Sequence, residues 1–268
     1  KMEETVSVLA KQLDNKPLGV PKPKPSTVSK AKDLVTTPIN VSLFTPVELI
    51  PVKPRRVVGI SLNILYGHEE ELYGLQAGLV NNVDSGVGIQ VGLAQWSEGD
   101  FSGVQVGLTN YTREFFGIQI GCGNITHGAG GIQVALGSNY SETFSGIQVA
   151  AWNSNRQDFS GIQIGLVNEN QVVTTGGGST FVGNQEYAKL NRTYSSSGSS
   201  KGIQIAFALN EAVRAEGIQI SLFNFSSEMY GVQIGAINYA KSLKGVQIGL
   251  LNFNSSGLFI SPGLNIGW

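Results

Sequence analysis

The sequence predicts an all-β chain wound as a β-solenoid of about twelve coils of 14–15 residues, on three observations. First, a word of the form G-[ILV]-Q-[IVA]-[GAS] begins at Gly74, Gly88, Gly103, Gly117, Gly131, Gly146, Gly161, Gly202, Gly217, Gly231 and Gly245. The steps are 14 or 15 residues, apart from one of 41, and a degenerate copy, G-I-S-L-N, starts at Gly59. Second, apolar residues inside each word alternate with Gln and a small residue, the period of a half-buried strand. Third, Gly is 35 of 268 residues while charged residues are only 14%, which suits tight turns and a packed chain rather than disorder.

A fixed short period means a repeat architecture. With the word's Gly as position 0, positions +1, +3 and +5 are apolar, as in Ile118, Ile120, Cys122 and Val246, Ile248, Leu250. Position +2 is Gln and +4 is Gly, Ala or Ser. Position +7 is usually Asn: Asn81, Asn110, Asn124, Asn153, Asn168, Asn224, Asn238 and Asn252. Asn tolerates left-handed backbone and is expected to turn the chain at each corner, with its amides stacked as a ladder. An aromatic often follows, as at Tyr111, Phe225, Tyr239 and Phe253, and an apolar residue precedes the next Gly, as at Phe101, Phe116, Phe144, Phe159 and Tyr230.

The alternative architecture is a transmembrane antiparallel β-barrel, one strand per repeat. The steps do not alternate in length, as loops at two membrane faces would. With +1, +3 and +5 facing lipid, Asn at +7 would face lipid too. Both points favour the solenoid. Its expected core is the Ile, Val and Leu of +1, +3 and +5. The glutamines are then expected outside as a flat ladder, a candidate interaction face made of Gln76, Gln90, Gln105, Gln119, Gln133, Gln148, Gln163, Gln204, Gln219, Gln233 and Gln247.

In chain order, residues 1–37 are expected to hold a short helix over 2–14 and a Pro/Lys-rich tether. Residues 38–58 read as a lead-in and capping segment with Pro breaks, and 59–257 as the repeat domain. Residues 169–201 are a loop insertion, and 258–268 a C-terminal cap containing Pro262. Net charge is −1, which gives no field for nucleic acid. Residues 1–56 carry ten Lys and Arg against five Asp and Glu, so any membrane association is expected through the N-terminal segment. No run of eighteen apolar residues exists for a spanning helix.

Chemistry-bearing motifs are sparse. His68 and His127 lie in different turns with no second ligand at metal spacing, so no metal or cofactor is expected. Glu69, Glu70 and Glu71 read as a solvated turn, and Cys122, at an apolar position, as core. Asp100, Glu114, Glu142 and Asp158 are scattered over turns that stacking brings near one another. The single cysteine permits no internal disulfide.

The words G-L-Q-A-G-L-V-N (74–81), G-V-Q-V-G-L-T-N (103–110) and G-V-Q-I-G-L-L-N (245–252) resemble those of bacterial surface-repeat proteins of the G-[LV]-Q-[ILV]-G-L-x-N type. The lead-in V-S-L-F-T-P-V-E-L-I-P (41–51) and the ending G-L-F-I-S-P-G-L-N-I-G-W are similar too, so the resemblance covers about residues 40–268. It implies a protein exported to the envelope, outer membrane or surface of a bacterium, of lipoprotein-like type. It implies no catalytic residues. The insertion and the Lys/Pro-rich tail depart from the pattern. The expected function is a non-enzymatic envelope scaffold that binds a protein or surface partner through the Gln face or the inserted loop. A membrane pore and a glycan-binding or carbohydrate-active solenoid are the alternatives.

Overall fold

The computed structural model describes residues 34–48, 55–170, 173–175, 181–182, 185–186, 192–194 and 199–268. The helix expected over 2–14, the tether and most of the insertion lie outside them.

The described residues form an all-β solenoid. One nine-stranded sheet runs in the order β13-β12-β11-β6-β5-β4-β3-β1-β2. Its members are β1 (Val35–Phe44), β2 (Val47–Glu48), β3 (Arg55–Val91), β4 (Ala94–Val106), β5 (Thr109–Asn155), β6 (Phe159–Asn170), β11 (Ser199–Ile220), β12 (Phe223–Asn254) and β13 (Ile260–Gly267). Between β6 and β11, β7 (Val173–Thr175) pairs with β10 (Arg192–Tyr194), and β8 (Phe181–Val182) with β9 (Gln185–Glu186), both antiparallel.

Neighbouring strands of the sheet are parallel except at its two ends, where β2 and β13 pair antiparallel. The sheet is open. A membrane barrel needs antiparallel neighbours closed into a ring, so the barrel alternative does not describe this chain.

Stacking is in register by the repeat. Gly88 lies beside Gly103 and Gly103 beside Gly117, with Gln90, Gln105 and Gln119 likewise aligned. After the insertion, β11 rejoins β6 in the same register, Gly202 on Gly161 and Gln204 on Gln163. Twelve coils at the strand spacing make a stack about 58 Å long.

Position 0 must be glycine for two reasons. Gly117 has φ +142°, which L side chains rarely adopt, and a Cβ there would sit 1.9 Å from the Gly103 carbonyl oxygen. The Asn column plays no such part: among the described residues no non-glycine has positive φ. The expected left-handed Asn corner is therefore corrected. The left-handed residue is the glycine, and the asparagines lie in extended backbone.

The parity of the strand is also the reverse of the expectation. All eleven glutamines of the +2 column are buried, at most 2% exposed, and they point into the coil. The apolar +1, +3 and +5 residues point out, with Ile89, Ile118, Ile120, Leu108 and Ile248 all exposed. Cys122, expected in the core, stands exposed in the +5 row. Besides the small residues at +4, the interior holds four kinds of column. Two are amide ladders, at +2 and near +7. One, near +9, is mostly hydroxyl or amide, as at Ser97, Thr112, Thr126 and Asn155. The fourth, two residues before each Gly, is the apolar one: Val57, Leu72, Phe101, Phe115, Phe144, Phe159, Met229 and Leu243 are buried there. Phe144 stacks on Phe159 at 6.2 Å. Phe116 and Tyr230, one residue nearer the Gly, point out.

Candidate interaction surface

The interior explains what is left outside. Each glutamine Nε2 donates to the Oε1 of the glutamine one coil before it, at 2.7–3.0 Å, from Gln90 onto Gln76 through to Gln247 onto Gln233. The second valences go to the column near +9. Thr112 Oγ1 donates to Gln105 Oε1 at 2.8 Å, and Ser226 Oγ to Gln219 Oε1 at 2.9 Å.

The asparagine ladder runs the other way. Each Nδ2 donates to the Oδ1 of the next coil's asparagine, at 2.7–3.0 Å, from Asn110 through to Asn252. The same Nδ2 also donates to a backbone carbonyl, such as Ile120 O from Asn110 at 3.0 Å. A carbonyl only accepts, so the orientation of these amides is set by chemistry. The structure adds Asn139, Asn210 and Gln95 to this column, and Asn63, at +4 of the first coil, donates into it from Nδ2 to Asn81 Oδ1 at 3.1 Å. Asn139 and Asn210 escaped the +7 count because one extra residue in their coils moves them to +8.

Gln95 is the fault in the ladder. It accepts from Asn81 Nδ2 at 2.9 Å, but its own longer side chain donates to Val106 O at 3.2 Å. Asn110 Oδ1 is left buried with no hydrogen-bond partner. Gln95→Asn is expected to restore the ladder and stabilise the protein by about 1 kcal/mol, read as a higher urea midpoint.

With the amides inside, the outer surface divides in two. From the Gly to +7, none of the twelve units carries an Asp, Glu, Lys or Arg; every charge of a coil falls between +8 and the next Gly. The charge-free half is apolar outside. It has mostly Ile and Val at +1 and +3, a row of mostly Leu at +5, and mostly apolar residues at +6. Leu136 is 82% exposed and Leu250 75%. Aromatics mark the boundary between the halves: Trp96, Tyr111, Tyr140 and Phe225 on one side, Tyr73, Phe116 and Tyr230 on the other. Cations sit over several of them, Arg214 4.7 Å from the Tyr230 centroid, Arg156 5.2 Å from Tyr140 and Arg56 5.8 Å from Tyr73.

The charged half holds the other candidate groups. Asp100 and Glu114 come together, with Phe116, along a groove of about 460 Å³ over Gly128 and Gly130. Asp158 instead accepts from the backbone N–H of Ser199 at 3.0 Å, at the foot of the insertion. His127 meets Tyr111 edge-on at 6.0 Å, and His68 lies 3.7 Å from Asp84. Among the described residues no three His, Cys, Asp or Glu are grouped to hold a metal ion. Trp96 and Tyr111 stack on each other at 4.2 Å, so their facing surfaces are not open to a sugar ring.

Burial raises the Glu114 pKa, helped by the Asp100 and Glu142 carboxylates and opposed by His127 and Arg113. A carboxyl whose folded pKa is raised binds its proton more tightly when folded, so stability rises as pH falls through that pKa. Glu114→Gln is therefore expected to melt above the parent at pH 7, with the gap closing as pH falls toward 4.5.

The eleven glutamines proposed from sequence as a docking face are thus interior, and no partner can reach them. What stands exposed is the apolar, charge-free half on one side and the charged half on the other.

No family model, curated protein or solved structure matches this chain.

Proposed function

We propose that the protein is a non-enzymatic scaffold of the bacterial envelope, which docks through the charge-free half of its coils. The observation that carries the reading is the inverted packing, with polar amides inside and Ile, Val and Leu outside along all twelve coils. Proteins that stay monomeric in water rarely leave apolar patches beyond a few hundred Å². The envelope location rests on the resemblance of the repeat words and lead-in to surface-repeat proteins.

The test is sedimentation of the full chain without detergent, beside a variant carrying Leu108→Lys, Leu136→Lys and Leu250→Lys. The parent is expected to self-associate or to take up amphiphile, while the variant stays monomeric with an unchanged β spectrum and unfolding midpoint. A parent that sediments as a monomer and binds no apolar dye would end this reading.

A further inference from the structure

We infer that the partner of the charge-free half is one leaflet of a lipid bilayer, with the solenoid axis lying along the membrane plane and the Leu row pointing into the acyl chains. The inference rests on the docking reading above and names its occupant.

Shape argues for lipid over a second copy. Three contiguous sides are apolar: the +1/+3 face, the +5 edge and the +6 side of the opposite face. A two-fold dimer covers one flat face and leaves the convex edge in water. A fluid medium covers all three. The dimension agrees. From the Gly to +5 the strand spans about 16 Å at ~3.3 Å per residue. One leaflet of hydrocarbon is about 15 Å, half of a ~30 Å core. The blade fills one leaflet and does not cross.

The boundary residues are those of a membrane interface. Tyr73, Trp96, Tyr140 and Tyr230 occupy the level between apolar and charged zones, where amphipathic rings sit among headgroups. Arg56, Arg156 and Arg214 hold their guanidinium groups over such rings, at the same level. No buried charge has to enter the hydrocarbon, because the inserted half has none. The charged half of the repeat domain carries more Asp and Glu than Lys and Arg, so attraction to anionic lipid is not the driving force.

The native cysteine supplies the probe. Cys122 is the chain's one cysteine and stands exposed in the Leu row. An environment-sensitive fluorophore on its sulfur, with the full chain added to pure phosphatidylcholine vesicles, is expected to shift to the blue. It is expected to be quenched by nitroxides on the acyl chain. The same label at Asp158→Cys in a Cys122→Ser background is expected to stay water-exposed. Leu108→Lys and Leu136→Lys are each expected to weaken vesicle binding on the order of tenfold or more, while 0.5 M salt leaves the parent unaffected. Binding confined to anionic vesicles and lost in salt would overturn the inference, because the seat would then be a charged region. A discrete dimer dissolved by the Lys variants, with no vesicle binding, would overturn it and leave the docking reading standing. A monomer that binds no vesicle would remove both.

Discussion

Gln133→Leu is expected to destabilise the solenoid by about 2–6 kcal/mol, although it replaces a polar side chain with the residue usually favoured in a core. Gln133 uses its whole bonding capacity. Its Nε2 donates to Gln119 Oε1 at 2.7 Å and Thr126 Oγ1 at 3.3 Å; its Oε1 accepts from Gln148 Nε2 at 2.8 Å and Ser141 Oγ at 3.3 Å. Leucine would leave the Gln119 oxygen and one Gln148 N–H buried without partners, each costing about 1–3 kcal/mol. The next residue gives the opposite result. Val134 is partly exposed on the outer face, so Val134→Gln is expected to cost under about 1 kcal/mol. Urea unfolding followed by circular dichroism compares the two by midpoint, the safer measure where a repeat array departs from two-state behaviour. A Val134→Gln cost above that of Gln133→Leu would mean that the packing runs the other way.

This inversion separates what could be read in the sequence from what could not. The coil length, strand period and stacking of like on like follow from the spacing of the glycines and the alternation at +1 to +5. Alternation, however, defines two sets of residues without saying which one is inside. Assigning the apolar set to the core assumes that water covers the other side. Two signals pointed elsewhere. A solvent-facing column tolerates any polar residue, yet +2 is Gln in all eleven clear copies, while +1, +3 and +5 drift among Ile, Val, Leu, Ala, Phe and Cys. Interior amides that bond to their own kind must keep one length, and Gln95 shows what a single extra methylene does. The second signal is the absence of charge from 0 to +7, unusual for a face meant for water. The small residue at +4 also belongs to the inner set. A Cβ on Gly249 would lie 2.6 Å from Asn238 Nδ2, so this column stays small to make room for the amides. The acidic groove at Asp100 and Glu114 was foreseeable only as proximity, since the groove itself depends on Gly128 and Gly130 in the adjoining coil.

Arg55→Ala is expected to cost about 3–5 kcal/mol, the other large effect, and to do so at the N-terminal end of the stack. The polar interior cannot stop at its first coil with open amide valences, and here an ion cluster closes it. The side chains of Arg55, Glu48 and Glu69 are all fully buried. Arg55 Nη1 pairs with Glu48, and its Nε donates to Glu69 Oε2 at 2.6 Å. Glu69 Oε1 accepts from Asn40 Nδ2 at 2.8 Å and Ser61 Oγ at 2.7 Å, tying β1 to the coil that begins at Gly59. Removing the cation leaves two carboxylates facing one another in the interior. Arg56, whose partly exposed pair with Glu71 lies on the surface, is the control, and Arg56→Ala is expected to change stability little. The pH dependence tells the two apart. Burial works against the Arg55 charge, but its bonds to Glu48 and Glu69 outweigh that and raise its pKa above the ordinary arginine value. Its contribution is therefore complete below the unfolded value and would be lost only as pH rose through the folded one, so the parent shows no Arg55 titration between pH 5 and 9. The Arg55→Ala protein should instead regain stability as pH falls, because a proton on one carboxylate removes the repulsion the arginine had cancelled. A deficit that stays constant from pH 8 to pH 5 would mean that lost packing, rather than exposed charge, is what the arginine prevents.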